Sequence, residues 1–304
     1  LRVGISLTTA LSGYSARDGA QMIIERCSAA SHAGLDSLFV GDHHSTGPLS
    51  YYQNVPVLAR VLAEWDTRPA GALFLLPLWH PVLLAEQIGT LAAIHKGPFI
   101  MQCAIGPNDR QFPALGVSVK QRPSRFEQSL EIMRRLWNGE KVSSAGRWKF
   151  ENAEISPIPE ENISIWIGAN SSLALDRAAR IGDGWLGAPS LTLQQASAFS
   201  AEYAEKCLIY EKVQNTVAIR RDIYVGESDA ESLQSTSDLL DKGYRGFDPT
   251  ALVIGSPKTV ADEFQKLADI GYTDVIIRSI VQDQKKAIDS IGRLAEVRER
   301  LLDS

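Results

Sequence analysis

The stretch from Ala70 to His95, AGALFLLPLWHPVLLAEQIGTLAAIH, decides the fold. Its opening run, Ala70 to Leu76, is apolar without interruption and of strand length, which is how a strand covered on both faces reads. Pro81 then stands at a first helical position, where its missing N–H removes no hydrogen bond. Leu84, Ile88 and Leu91 follow on one helical stripe. A buried strand, a short turn and an amphipathic helix make one βα unit.

The same alternation runs outward in both directions. Strands are expected at Arg2 to Leu7, Ser37 to Val40, Ala70 to Leu76 and Phe99 to Ile105, then at Ser164 to Ala169, Trp185 to Gly187, Val217 to Val225 and Asp274 to Ile280. Helices fall between them. Ala16 to Ala33 carries Ile23, Ile24, Cys27 and Ala30 at helical spacing and is ended by Gly34. Pro123 opens a helix with Phe126, Leu130, Met133 and Trp137 on its apolar face. Ser256 and Pro257 read as cap and first residue of another, with Val260, Phe264 and Leu267 inside. Eight such units close into a (β/α)8 TIM barrel, with an open doubly wound sheet as the alternative. A single barrel domain over residues 1–304 fits the length. Two stretches exceed ordinary connections, giving insertions after the fourth and seventh strands: Asn138 to Ile163 and Glu227 to Ala251. The second follows a strand directly and is a lid candidate, or else an ornamental insertion.

Composition narrows the function. A hydrophobic fraction of 44% and a charged fraction of 22% are those of a globular protein. A net charge of −5 without a basic stripe argues against a nucleic-acid partner. Cys27, Cys103 and Cys207 are far apart and odd in number, which suits a reducing compartment. The first residues read directly as a strand, without the basic and apolar segments of a secretion signal, and no run approaches the roughly 20 apolar residues of a membrane span. A cytoplasmic protein with no membrane partner is expected.

Barrel chemistry sits at the C-terminal ends of the strands. After the second strand come Gly41, Asp42, His43 and His44. Titratable groups follow a buried strand abruptly there, and histidine can exchange protons near neutral pH. The plainer reading is a histidine that caps the strand end. A metal reading would need ligands from other strand ends, and of the remaining His32, His80 and His95 two are expected on helices. After the fifth strand, Gly168-Ala169-Asn170-Ser171 turns into a helix, and such a helix start can hold a phosphate on backbone N–H groups. The competing reading is a serine N-cap. No GxGxxG or Walker sequence is present. The third strand could lie flat against an aromatic cofactor, or simply be barrel core. Trp79, Tyr51, Tyr52 and Trp185 could line an aromatic pocket, or be structural.

Five segments, in order, resemble the bacterial-luciferase-like flavin monooxygenase family. They are Asp42-His43-His44; Leu76-Pro77-Leu78-Trp79-His80-Pro81; Gly116 with Arg122 to Trp137; Ile167-Gly168-Ala169-Asn170 with Ala178 to Trp185; and Ile254-Gly255-Ser256-Pro257 with Gly271-Tyr272-Thr273-Asp274. The resemblance implies a barrel with a reduced flavin over its C-terminal mouth. It gives the catalytic role to His43, with Asp42 and His44 beside the cofactor and a non-proline cis peptide at Ala72-Leu73 under the ring. The flavin phosphate would lie at Gly168, Ala169, Asn170 and Ser171.

The family pattern is not complete. Ile105 stands where the luciferase pattern has a phosphate-binding Arg, Ala104 where it has a reactive Cys, and Ala174 where it has a hydroxyl residue. Cys103 is adjacent to the lost Cys, and Arg125 or Arg122 could replace the lost Arg. The resemblance implies a two-component monooxygenase using FMN, reduced by a separate flavin reductase, and O2 on a small organic substrate. Its alternatives are hydride transfer with 8-hydroxy-5-deazaflavin and a non-catalytic flavin-binding protein. Members that use deazaflavin often carry Asp-His-Phe followed by Pro-Trp, which this chain lacks. Members of the family are commonly homodimers.

Overall fold

The computed structural model describes residues 1–47, 49–107, 110–213 and 216–303. Its centre is a ring of eight parallel strands: β1 (Arg2–Leu7), β2 (Ser37–Val40), β3 (Ala70–Leu75), β4 (Phe99–Ala104), β5 (Ser164–Ala169), β6 (Gly184–Gly187), β7 (Val217–Val225) and β8 (Asp274–Ser279). Each pairs with its sequence neighbour, and β8 returns to β1 with Arg2 opposite Asp274 and Ile5 opposite Ile277. The sheet is therefore closed, and the open doubly wound alternative is excluded. Strand ends differ from the sequence expectation by single residues. β3, for example, stops at Leu75 because Pro77 bends Leu76–Leu78 into a 3-10 turn.

Alternation along the strands sorts residues into two layers. Inside the ring, Phe39, Ile100, Trp166, Ala218 and Ile276 pack together with Leu186. Their neighbours Met101, Cys103, Ile165, Ile167, Val275 and Ile277 face outward and join the larger core under the helices. Those helices begin where the sequence indicates. Ala16–His32 is capped by Ser15 and followed by Gly34 at φ +71°, a conformation open to glycine. Pro81–His95, Arg122–Trp137 and Pro257–Asp269 each carry proline in the first turn.

The stretch 138–163 holds an antiparallel hairpin, Val142–Ala145 with Lys149–Ala153, whose tip is bound to the helix Arg122–Trp137. Trp148 Nε1 donates to Ser129 Oγ at 2.8 Å, and Gln128 accepts from the Arg147 and Trp148 amides. The stretch 227–251 forms the helix Asp229–Asp241 and two 3-10 turns, Tyr244–Gly246 and Pro249–Ala251. Val253–Gly255 then pairs with the end of β7, outside the ring. No helix among the described residues is long and apolar enough to cross a membrane.

Candidate functional site

β2 delivers Asp42, His43 and His44 to the C-terminal face of the barrel, where each does something different. Asp42 is fully buried. Its Oδ2 accepts from the Leu75 amide and from Trp79 Nε1, both at 2.8 Å, and its Oδ1 lies 3.1 Å from His44 Nε2. It ties the ends of β2 and β3 together and holds the Trp79 ring, 5.4 Å from the His44 ring. Burial works against a charge on His44. The close contact with the Asp42 carboxylate outweighs it, so the imidazole is held above its ordinary pKa.

His43 is set by Gln111. The Gln111 Oε1 accepts from the His44 amide at 2.6 Å, so the Gln111 Nε2, 3.2 Å from His43 Nδ1, must be the donor there. A neutral His43 thus accepts at Nδ1 and carries its proton on Nε2. Gln53 Nε2 holds the His43 carbonyl at 3.0 Å, and the Tyr51 ring meets the imidazole edge-on at 5.2 Å. Tyr51 is carried there by a short antiparallel pairing of Ala10–Leu11 with Ser50–Tyr51. Burial is the main cause holding His43 below its ordinary pKa. Asp42 offsets part of it, and the nearby Arg278 and Arg245 charges add to it. His43 is therefore uncharged at neutral pH.

His43 and His44 line a cavity of about 410 Å³ at the barrel mouth. Across it stand Arg278 at the end of β8 and Tyr244 and Arg245 from the insertion after β7, with Arg110 also on the wall. The insertion is anchored inside the barrel. Asp222, fully buried on β7, accepts from Tyr244 Oη at 2.8 Å and Arg245 Nη1 at 3.2 Å, and from Arg220 Nε at 2.9 Å. Burial would raise the Asp222 carboxyl, but the Arg220 and Arg278 charges prevail and hold it below the usual carboxylate range. No carboxylate lines the cavity wall among the described residues.

The model for luciferase-like monooxygenases matches residues 1–249. The chain belongs to the luciferase-like monooxygenase family. A curated relative, the F420-dependent glucose-6-phosphate dehydrogenase of Nakamurella multipartita, is 29% identical over 188 residues, covering 57% of this chain and 55% of the relative. The chain thus spans about half the length of the first curated relatives that it matches. Among solved structures, the monooxygenase RslO1 from Streptomyces bottropensis superposes with a TM-score of 0.87 at 19% identity, covering 100% of this chain and 99% of that one. The oxygenating constituent of 3,6-diketocamphane monooxygenase from Pseudomonas putida, in complex with FMN, gives 0.85 at 18% identity, covering 99% and 98%. Both share the fold.

Within this luciferase-like barrel the other expected site residues are scattered. Ala72 is buried in β3 and Leu73 is half-buried, its carbonyl held by Asn54 Nδ2 at 2.8 Å. The cis peptide expected between them is absent: among the described residues the one cis bond is Ser156–Pro157, and β3 pairs regularly with β4 through Ala72 and Leu73. Cys103 is fully buried in the outer layer, turned from the mouth by strand alternation, and burial pushes its thiol far up. Arg125 stacks on Trp148 at 3.8 Å and donates to the Pro77 carbonyl at 3.0 Å; Arg122 donates to the Gly106 carbonyl at 2.6 Å. Gly168 and Ala169 end β5, and Asn170 and Ser171 are exposed before the helix Ser172–Ile181. Ser171 stands at the N-cap position, as the plainer reading has it, but makes no side-chain cap bond. None of these residues lines the cavity that His43 and His44 share.

Gln111, Tyr244, Arg245 and Arg278 are not among the residues singled out from the sequence. Arg278 had a signal: a charge near the end of the otherwise apolar run Asp274 to Ile280. Arg220 and Asp222 inside β7 carry the same mark.

Proposed function

We propose that this chain, acting as one luciferase-like barrel domain, is a deazaflavin-dependent oxidoreductase that works on a carbonyl or alcohol group at the barrel mouth. The observation that carries this reading is the tautomer of His43, fixed with Nε2–H as the ring donor beside an arginine-lined cavity. The F420-dependent relative supports the cofactor class.

The residues fit a flavin-type group. The buried Gln102 amide on β4 is a donor without a partner, suited to the carbonyl-rich ring of such a group. The uncapped helix start after Asn170 and Ser171, which follows Gly168 and Ala169 at the end of β5, offers backbone N–H groups to a phosphate. When bound, a deazaflavin supplies a two-electron hydride carrier that needs no oxygen. His43 donates from Nε2 to the substrate oxygen and stabilises the negative charge that grows there as a carbonyl is reduced, as a neutral imidazole can. Water at the open mouth supplies the proton that completes the alcohol, and the reverse path oxidises it. Asp42 and His44 keep Trp79 in place, and Gln53 holds the His43 carbonyl. A polar, arginine-lined mouth is poorly suited to shielding a reactive oxygen species from water.

A second reading, the FMN monooxygenase fed by a flavin reductase, is favoured by the Asp42-His43-His44 run, which has histidine where deazaflavin-dependent members often have phenylalanine. An anaerobic titration with deazaflavin and with reduced FMN separates the two. Micromolar or tighter deazaflavin binding and turnover without oxygen uptake are expected. Binding of reduced FMN alone, with oxygen consumed in step with product, gives the assignment to the second reading.

A further inference from the structure

The guanidinium of Arg278 is an anomaly. Arg278 is 8% exposed, yet among the described residues its guanidinium has neither a hydrogen bond nor an ion pair. It stands directly across the β7–β8 ladder from Asp222, but that carboxylate is already taken by Arg220, Tyr244 and Arg245. Three arginines therefore share one acid. The Arg278 nitrogens open only onto the cavity, so water or a bound anion there must satisfy the charge. Next to it the Ser279 hydroxyl is also buried and unpartnered. Both groups line the same 410 Å³ cavity as His43.

We propose that Arg278, with Arg245 and Ser279, is an anchor for the oxyanion of the substrate, a small organic molecule that carries a carboxylate, sulfonate or phosphate at one end and its reacting carbonyl or alcohol at the other. The assignment of the substrate's reacting end rests on the reading of His43 given above. The anion is the substrate's and not the cofactor's because of where the two sites stand. The helix start suited to a cofactor phosphate follows β5, while Arg278 ends β8, three strands away round the eight-membered ring in one direction and five in the other. No residue of that helix start reaches the cavity of Arg278. The guanidinium presents a planar fork that an oxyanion can meet with two parallel hydrogen bonds. The anchor holds one end of the substrate while His43 meets the other.

The test needs only the purified full chain. Its melting temperature is followed against inorganic phosphate and, separately, acetate, with sodium chloride at matched ionic strength as the control. Saturable stabilisation above the chloride control is expected from at least one oxyanion, and which one identifies its class. R278Q should abolish that response. It should also melt at or above the wild type without anion, since it removes an unpaired charge beside Arg220. R278K, which keeps the charge but not the fork, should retain a response weakened tenfold or more, and it stands in if R278Q does not fold. A wild type that answers both oxyanions no better than chloride, or an R278Q response equal to the wild type's, overturns the proposal. A flavin titration of R278Q closes the remaining route. Deazaflavin or FMN affinity should stay within twofold, and a tenfold loss would assign the anchor to the cofactor instead. If the wild type binds no flavin while the oxyanion response persists, the functional reading fails and the anchor stands.

Discussion

At the scale of single residues, the site is a set of choices about where protons sit. His43→Ala removes the Nε2–H donor and should lower turnover by roughly 10²–10³-fold, the usual effect of losing one donor to a developing oxyanion. Cofactor affinity measured alongside should be unchanged; an equal loss in both would make His43 a binding residue. Gln111 acts through His43. In Gln111→Glu the carboxylate still accepts from the His44 amide but can only accept at His43 Nδ1, which moves the neutral proton to Nδ1 and leaves Nε2 a base. ¹⁵N shifts of the imidazole should report the exchanged tautomer and a raised pKa, with the pH profile moving in step; an unchanged tautomer would remove Gln111 from this role. His44 offers a check on stability. Its folded pKa is raised above the unfolded value of about 6.5, so its contribution is full below that pH and fades as pH climbs through the folded value. Urea midpoints across pH 5 to 9 should show that fall in the wild type, and His44→Gln should remove it. The sequence marked His43 and His44 because a polar cluster after a buried strand is visible in one dimension. Gln111 escaped because its role depends on a partner distant in the chain, the His44 amide 67 positions away, and Arg278 because only the folded arrangement shows its guanidinium without a partner among the described residues.

At the scale of elements, the barrel strands were legible because a parallel sheet covered by helices leaves uninterrupted apolar runs. The proline-started helices were equally plain. The inner and outer faces were not, because both are buried and apolar, and only closure decides which way Cys103 points. The expectation for Cys103 failed for that reason. Close packing between strands makes its own demand on Gly71, where an added Cβ would lie 1.7 Å from the Ile100 carbonyl oxygen on β4. Gly71→Ala should separate β3 from β4, lower the melting temperature and speed hydrogen exchange at residues 99–104 more than at β7. Similar exchange at both would place the strain elsewhere. The insertion after β7 was visible as a long polar stretch, but its grip on Asp222 was not. Asp222→Asn weakens the acceptor for Tyr244 and Arg245, so exchange across 243–247 should rise with little change in the helix Asp229–Asp241. An unaltered rate there would show that Phe247, against the Tyr244 ring and the Arg245 guanidinium, holds the segment instead.

At the scale of the molecule, closure makes each strand depend on two neighbours, so the ring is only as sound as its shortest seams. One of these is β6, a four-residue strand that pairs with β7 through Trp185, Leu186 and Gly187 alone. Trp185 is fully buried there, donates from Nε1 to the Ala169 carbonyl at 2.9 Å and packs against Tyr203 and Tyr272. It therefore joins β5, β6, the helix Leu193–Ile209 and the turn before β8 at one point. Trp185→Ala leaves a large cavity and an unpaired carbonyl, for which a loss of about 3–5 kcal/mol is the expectation for a buried tryptophan. If residues 1–304 fold as one domain, that loss lowers the whole transition: calorimetry should give a single peak moved to lower temperature, with the calorimetric and van't Hoff enthalpies still in agreement. If the halves on either side of β5 were separate units, the variant would instead split the peak and leave the β1–β4 portion melting at its wild-type temperature. A single shifted peak would mean that the mouth, built from β1, β2, β7 and β8, stands on a closed ring that melts as one unit even when the short β6 seam, on the far side of the barrel from His43, is weakened.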